Sequence, residues 1–254
     1  MLEELFGLKG KVALVVGASK GLGKAMSLAL AGAGADVALA SRSEHLMEEI
    51  KNDIKDLGRD SMAIVTDIAS ERDISAMVDQ VIDKYDHIDI LVNNAGIYDR
   101  KKALDVTADD WDRTFDINVR GFFLSCRMVG EHMIKRNSGK IINLTSVLGK
   151  RAAHESLAYA SSKAAITQLT RSFAFEFAPH NVHVNGIAPG WFETEMTQDE
   201  LANPRSRKFF LFKTPMGRFA KPEELGGAVI FLASKASDYM TGEIIFVDGG
   251  ISIW

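Results

Sequence analysis

Tyr159 and Lys163 stand four residues apart in Tyr-Ala-Ser-Ser-Lys, inside a stretch whose pattern predicts a long helix over 156–178. At that spacing both side chains project from one helix face. A phenol titrates near 10, too high for a base at neutral pH. A cation held close favours the phenolate, and lowering the pKa by roughly three units takes about 4 kcal/mol of differential stabilisation. Lys163, together with the positive nicotinamide ring of an oxidised dinucleotide, is expected to supply this in a dry cleft. Alone, a Tyr-x-x-x-Lys pair is a common accident of helix surfaces. Ser146 adds weight, because it falls at the C-terminal end of the fifth predicted strand, the end where open α/β sheets bind ligands. There its hydroxyl can donate to a substrate oxygen while Tyr159 exchanges the proton. Asn118, in Asp-Ile-Asn-Val-Arg, is buried mid-helix by pattern. Its amide needs partners there, either a water that links Lys163 to solvent or backbone carbonyls.

A second constellation precedes these. Gly17-Ala-Ser-Lys-Gly21-Leu-Gly23 follows the first predicted strand and opens straight into a helix. Glycines there let the chain turn tightly and approach a pyrophosphate, which meets free N–H groups at the helix N-terminus. The spacing is one residue longer between the first two glycines than in Gly-x-Gly-x-x-Gly. Dinucleotide folds hold the ribose 2′-hydroxyl with an acid about 20 residues further on. Asp36 nearly fits by count, yet it begins the second strand, on the order of 13 Å from the cofactor end at about 3.3 Å per residue. That end carries Ala40-Ser41-Arg42-Ser43. A planar Arg42 guanidinium can pair with a 2′-phosphate, Ser41 can donate to it, and Lys20 adds a second cation on the same side. NADP(H) is therefore expected in preference to NAD(H).

The elements that must position these residues alternate along the chain. Strands are predicted over 11–16, 36–40, 61–66, 88–92, 140–145, 182–187 and 243–247. Helices are predicted over 22–34, 44–57, 71–85, 156–178 and 222–233, with two more between 108 and 136. Strands apolar on both faces and separated by helices demand crossovers and a covered parallel sheet. The expected fold is a single-domain, doubly wound (Rossmann) α/β structure, a seven-stranded parallel sheet with helices on both faces. One irregular stretch, about 191–221, is too long for a passive connection and is expected to be a substrate lid.

With 254 residues, 46% hydrophobic and 25% charged, the chain has material for a substantial core. A net charge of −4 argues against general nucleic-acid or anionic-membrane binding. The single Cys126 cannot form an internal disulfide and reads as a buried small hydrophobe. No apolar run reaches about 18 residues, and the N-terminus carries acids where a signal peptide carries bases, so a cytoplasmic location is expected. The six histidines and the acids show no metal-ligand spacing, and no metal is expected.

Gly17-x-x-x-Gly21-x-Gly23, Asn93-Asn-Ala-Gly96, Asn118, Ser146, Tyr159-x-x-x-Lys163 and Pro189-Gly190 occur in the order seen in the short-chain dehydrogenase/reductase family, which the chain resembles through Val247-Asp-Gly-Gly250. The resemblance implies that Tyr159 exchanges the proton and that Lys163 binds the nicotinamide ribose and lowers the phenol pKa. It implies that Ser146 orients the reacting oxygen and that Asn118 completes a proton relay. It also implies a cofactor cleft lined by Ser19, Leu22, Asp67, Ile68, Asn94, Ala95 and Gly96, with Asp67 at the adenine amino group. Pro189, Gly190, Phe192 and Thr194 would hold the carboxamide and start the lid. Val16 departs from the usual Thr before the first glycine, a mainly structural position.

Substrate is less legible. Within the family, the segments 6–12, 188–197 and 215–218 resemble keto-sugar-acid reductases such as the gluconate 5-dehydrogenases. Arg100-Lys-Lys102, Arg151 and His154 are expected near the cleft mouth, where they could attract a carboxylate, with Trp191 beside them. Reduction of 3-oxoacyl chains on acyl carrier protein is the main alternative, since Lys135, Arg136 and Arg171 could dock an acidic carrier. A catalytically silent nucleotide-binding protein is a further alternative. The resemblance implies a homotetramer, to which the helix face around Phe173, Phe175 and Phe177 could contribute, although a core role for those rings is the simpler expectation.

Overall fold

Short runs of β-branched and small apolar residues make the strands, because such side chains fit a sheet buried on both faces. In the computed structural model, which describes residues 1–253, they are β1 (Val12–Val16), β2 (Asp36–Ser41), β3 (Ser61–Val65), β4 (Ile90–Asn93), β5 (Gly139–Leu144), β6 (Val182–Pro189) and β7 (Ile244–Val247). All pair in parallel in the order β3-β2-β1-β4-β5-β6-β7. The helices are α1 (Leu2–Phe6), α2 (Gly21–Gly32), α3 (Glu44–Asp56), α4 (Glu71–Tyr85), α5 (Ala108–Phe115), α6 (Gly121–Arg136), α7 (Leu157–Phe177), α8 (Gln198–Ala202), α9 (Pro204–Lys213) and α10 (Gly226–Ala233).

Alternation along β1 divides the core. Ala13 and Val15 point to one side, where they pack with Leu30, Ile50, Val229 and Leu232. Val12, Leu14 and Val16 point to the other, with Ile74, Met77, Leu124 and Val129. One sheet serves both layers, and the described residues form one domain, as expected.

Register then fixes which loops meet. Val16 lies opposite both Ala40 of β2 and Asn93 of β4. The strand order reverses direction between β1 and β4, and a crevice forms at such a switch point. Gly17 after β1, Ser41 at the end of β2 and Asn94 after β4 are thus brought to one level. Asn93 likewise faces Asn143, and Leu144 faces Ile187, so Ser146 follows at the same end.

Four local features differ from the sequence pattern. A short N-terminal helix, α1, precedes the first strand. The two helices expected between 108 and 136 form one continuous run, because Asp116–Arg120 is a π turn in which the Gly121 amide donates to the Asp116 carbonyl. The irregular stretch after β6 contains α8 and α9. The last predicted helix opens as a 3₁₀ turn, Pro222–Leu225. The simpler expectation for the phenylalanines holds for two of them. Phe173 and Phe177 pack on the core, whereas Phe175 is 84% exposed.

Candidate active site

The cleft at the switch point is built first by the glycine loop. Gly17 adopts φ +83°, and a Cβ there would meet the Ala95 amide nitrogen at 2.6 Å. Asn94 fixes this contact, donating its side-chain amide to the Gly17 carbonyl at 2.8 Å. Helix α2 begins without a side-chain cap on Lys20, so its first-turn amides face the cleft as donors. Ser19, Lys20, Gly21 and Leu22 line this wall, and Ser41 and Arg42 line the next, beyond β2. Asp67, Ile68, Asn94, Ala95 and Gly96 close the floor, and Pro189, Gly190, Phe192 and Thr194 the far side. A cradle whose glycines admit no side chain, with a helix N-terminus and cations at one end, fits a dinucleotide. Asp36 stays outside it, paired with Arg59 at 2.7 Å at the opposite end of β2.

Ser146, Tyr159 and Lys163 line the other end of the same cleft. The Ser146 hydroxyl accepts from the Leu148 amide at 3.1 Å and lines the cleft together with Tyr159. Lys163 is 4% exposed and donates to the Leu144 carbonyl at 2.8 Å. Its ammonium lies 5.6 Å from the Tyr159 ring centre and 5.3 Å from that of Phe122. Burial pushes Lys163 down to about 7. Burial also pushes Tyr159 up to about 12, with the Tyr98 phenol adding to the effect and Ser146 opposing it. The expected depression of the phenol belongs to the state in which an oxidised nicotinamide stands beside Lys163. That depression takes two cations, and the chain supplies one, whose own charge is disfavoured by desolvation. In the protein by itself, burial outweighs the lysine and favours the protonated phenol.

The lysine has a consequence for stability. Between about pH 7 and its ordinary 10.5, the unfolded chain holds a proton on Lys163 that the folded protein does not. Stability conferred through this group rises with pH across that window. Tyr159 acts oppositely and only from its ordinary 10.0 upward. Lys163→Met is expected to flatten the rise. Calorimetric midpoints of both proteins at about pH 7 and about pH 9.5 check this, and equal slopes would mean that the buried lysine stays charged.

Several expected residues fall elsewhere. Gly23 does not line the cleft; a Cβ there would strike the Gly17 carbonyl oxygen at 2.0 Å, so it serves close packing of the loop. Asn118 is fully buried mid-helix, as its pattern predicts, in the π turn and outside the cleft lining. Its side chain accepts from the Ile97 amide at 2.9 Å and donates to the Ile97 carbonyl and the Ser162 hydroxyl, both at 3.0 Å. Arg151 and His154 are absent from the cleft lining; Arg151 donates to the Ile251 carbonyl, and both line a neighbouring groove. Trp191 does line the cleft and packs on Phe210 at 4.1 Å between ring centres.

Two cleft residues carry no signal in the sequence pattern. Tyr98 stacks on Tyr159 with ring centres 4.4 Å apart. Glu195, just beyond Thr194, pairs with Lys20 across the cleft. Loop positions of this kind have no periodicity to betray them.

Residues 17–252 match the family described as Enoyl-(Acyl carrier protein) reductase. Over 251 residues the chain is 39% identical to 2-dehydro-3-deoxy-D-gluconate 5-dehydrogenase of Escherichia coli (strain K12), covering 98% of each. This chain belongs to the short-chain dehydrogenase/reductase family. It is accordingly an oxidoreductase, and the cleft is at the position where the fold's topology demands one. The same family includes the 3-oxoacyl-(acyl-carrier-protein) reductase of Thermotoga maritima, 38% identical over 246 residues, with 97% of this chain and 99% of that one covered. The crystal structure of a gluconate 5-dehydrogenase from Burkholderia cenocepacia J2315 in complex with NADP and tartrate matches with a TM-score of 0.96 at 35% identity, over 100% of both chains. No described helix is long and apolar enough to cross a membrane.

Proposed function

We propose that this oxidoreductase interconverts a ketone and a secondary alcohol on a sugar acid, using NADP(H) in preference to NAD(H). The observation that carries the proposal is the placement of Ser146 and Tyr159 together at one end of a cleft whose other end presents Ser41 and Arg42. When bound, the dinucleotide supplies or takes the hydride. In reduction, the Tyr159 hydroxyl gives its proton to the carbonyl oxygen, and Ser146 holds that oxygen by a hydrogen bond. In oxidation the Tyr159 oxygen takes the same proton back. Lys163 and Asn118 keep the neighbouring charge and hydrogen bonding in order, Lys163 from the Leu144 carbonyl and Asn118 from Ile97. Trp191 and Thr194 to Thr197 line the cleft, and with α9, whose Phe210 packs on Trp191, this segment would serve as its lid.

Arg42 and Ser41 support the 2′-phosphate preference, since the end of β2 carries no carboxylate to repel it. Bound NADP in the Burkholderia protein is in keeping with this, and the Escherichia relative's name supports a sugar acid. The Thermotoga relative gives the rival substrate, a 3-oxoacyl thioester. Assembly as a homotetramer belongs to the same proposal, with exposed Phe175 on α7 available to an interface. NADPH oxidation with a panel of keto sugar acids and acetoacetyl thioesters tests the substrate. The keto sugar acids are expected to lead in kcat/KM by at least about tenfold, on the order of 1.4 kcal/mol in transition-state stabilisation. A lead for the thioesters would overturn the sugar-acid assignment.

A further inference from the structure

Arg151 and His154 do not reach the cleft, but they are not scattered. With Lys101, Lys102 and Lys150 they wall a groove of about 750 Å³ beside it. Backbone pairing brings the two basic stretches together: Lys101 and Ser156 form a parallel bridge, and the Lys101 amide donates to the Glu155 carbonyl at 3.3 Å. In a chain of net charge −4, such a concentration of cations stands out from the average surface. Some of it is answered internally. Lys101 pairs with Asp110 at 2.6 Å, Glu155 with Arg100 at 3.5 Å, and Arg151 donates to the Ile251 carbonyl. Lys102 and Lys150 remain exposed, Lys150 lying 5.5 Å from the Phe246 ring centre.

The groove and the cleft share Leu148. That side chain belongs to the small apolar cluster that also holds Tyr98, Tyr159 and Trp191. Ser146 and Arg151 are separated only by the 3₁₀ turn Val147–Gly149 and Lys150. The cations of the cleft itself are engaged or remote: Lys163 faces the Leu144 carbonyl, Lys20 answers Glu195, and Arg42 stands beyond β2. A negative group on a molecule whose carbonyl meets Tyr159 therefore finds its countercharge across Leu148.

We infer that this groove receives the anionic end of the substrate, a carboxylate or phosphate on a small ketone whose carbonyl lies at Ser146 and Tyr159. The inference rests on the proposed reaction at that site. It narrows the substrate to ketones carrying a negative group a few carbons from the reacting carbon.

The test is the double variant K102E/K150E, in which two exposed cations outside the reacting cleft change sign. With 5-keto-D-gluconate or fructose 6-phosphate and NADPH, KM is expected to rise about tenfold or more with kcat nearly unchanged. With uncharged D-fructose, and for NADPH itself, KM should move less than about twofold. A loss with the keto acid alone assigns the groove to carboxylates, and a loss with the ketose phosphate alone to phosphates. Equal losses for charged and neutral ketones, or no loss for either, would overturn the inference. So would a loss confined to a 3-oxoacyl thioester of an acidic carrier. Calorimetric titration with D-gluconate and with inorganic phosphate decides the groove separately from turnover. Binding by the wild type that the variant lacks supports it, and indistinguishable titrations refute it. Should no ketone be turned over while that difference in binding persists, the proposed reaction fails and the anion site stands.

Discussion

Tyr159→Phe is expected to lower turnover by about a thousandfold or more while NADPH affinity stays within a few-fold of wild type. A positioned acid contributes on the order of 10²–10⁴ to rate, and burial pushes this phenol up to about 12. Phenylalanine keeps the ring that stacks on Tyr98 at 4.4 Å, so the wall of the cleft is preserved and only the hydroxyl is lost. Ser146 retains its bond from the Leu148 amide and its hold on the substrate oxygen. The effect should therefore fall on kcat rather than on cofactor binding. Steady-state NADPH oxidation and a fluorescence titration with NADPH read the two quantities. Turnover within about tenfold of wild type would take Tyr159 out of the reaction.

Arg42→Asp is expected to carry the second largest effect, a fall of about 100-fold in kcat/KM with NADPH and little change or a gain with NADH. A hydrogen bond to a charged group contributes about 1.5–3 kcal/mol, and the new carboxylate adds repulsion from a 2′-phosphate dianion. The position suits such a reversal because Arg42 is an exposed residue on the cleft wall after β2, with Ser41 beside it. Ratios of kcat/KM for the two dinucleotides, measured at one ionic strength, decide it. A ratio shifted by less than about threefold would remove Arg42 from cofactor selection.

The sheet was legible because a strand buried on both faces has to be continuously apolar, as in Val12–Val16. Helix α4 matches its expected range, 71–85, since its apolar spacing is unbroken and Ser70 caps it, accepting from the Asp73 amide. Asp36 was separable from the cofactor site by strand length alone, and its pairing with Arg59 agrees. Other features depend on terms that no local pattern contains. The burial that raises the Tyr159 phenol and lowers Lys163 cannot be read from their helical spacing. Arg151 and His154 follow Ser146 in sequence, yet the 3₁₀ turn Val147–Gly149 swings them past the cleft into the adjoining groove. The Glu195 contact with Lys20 spans 175 positions, and α8 and α9 are too short and too polar for their periodicity to stand out from irregular chain.

The π turn at Asp116–Arg120 holds one residue more than a regular helical turn of that height. Each residue advances a helix by about 100°, so the faces of α5 and α6 are offset in phase by that amount. The offset lets Asn118 aim at Ile97 while Leu124, Cys126, Val129 and Met133 still turn into the core. Deleting any one residue between 116 and 120 would restore regular winding and rotate one of these faces away. Chain length there is set by two partners at once, the amide's and the core's.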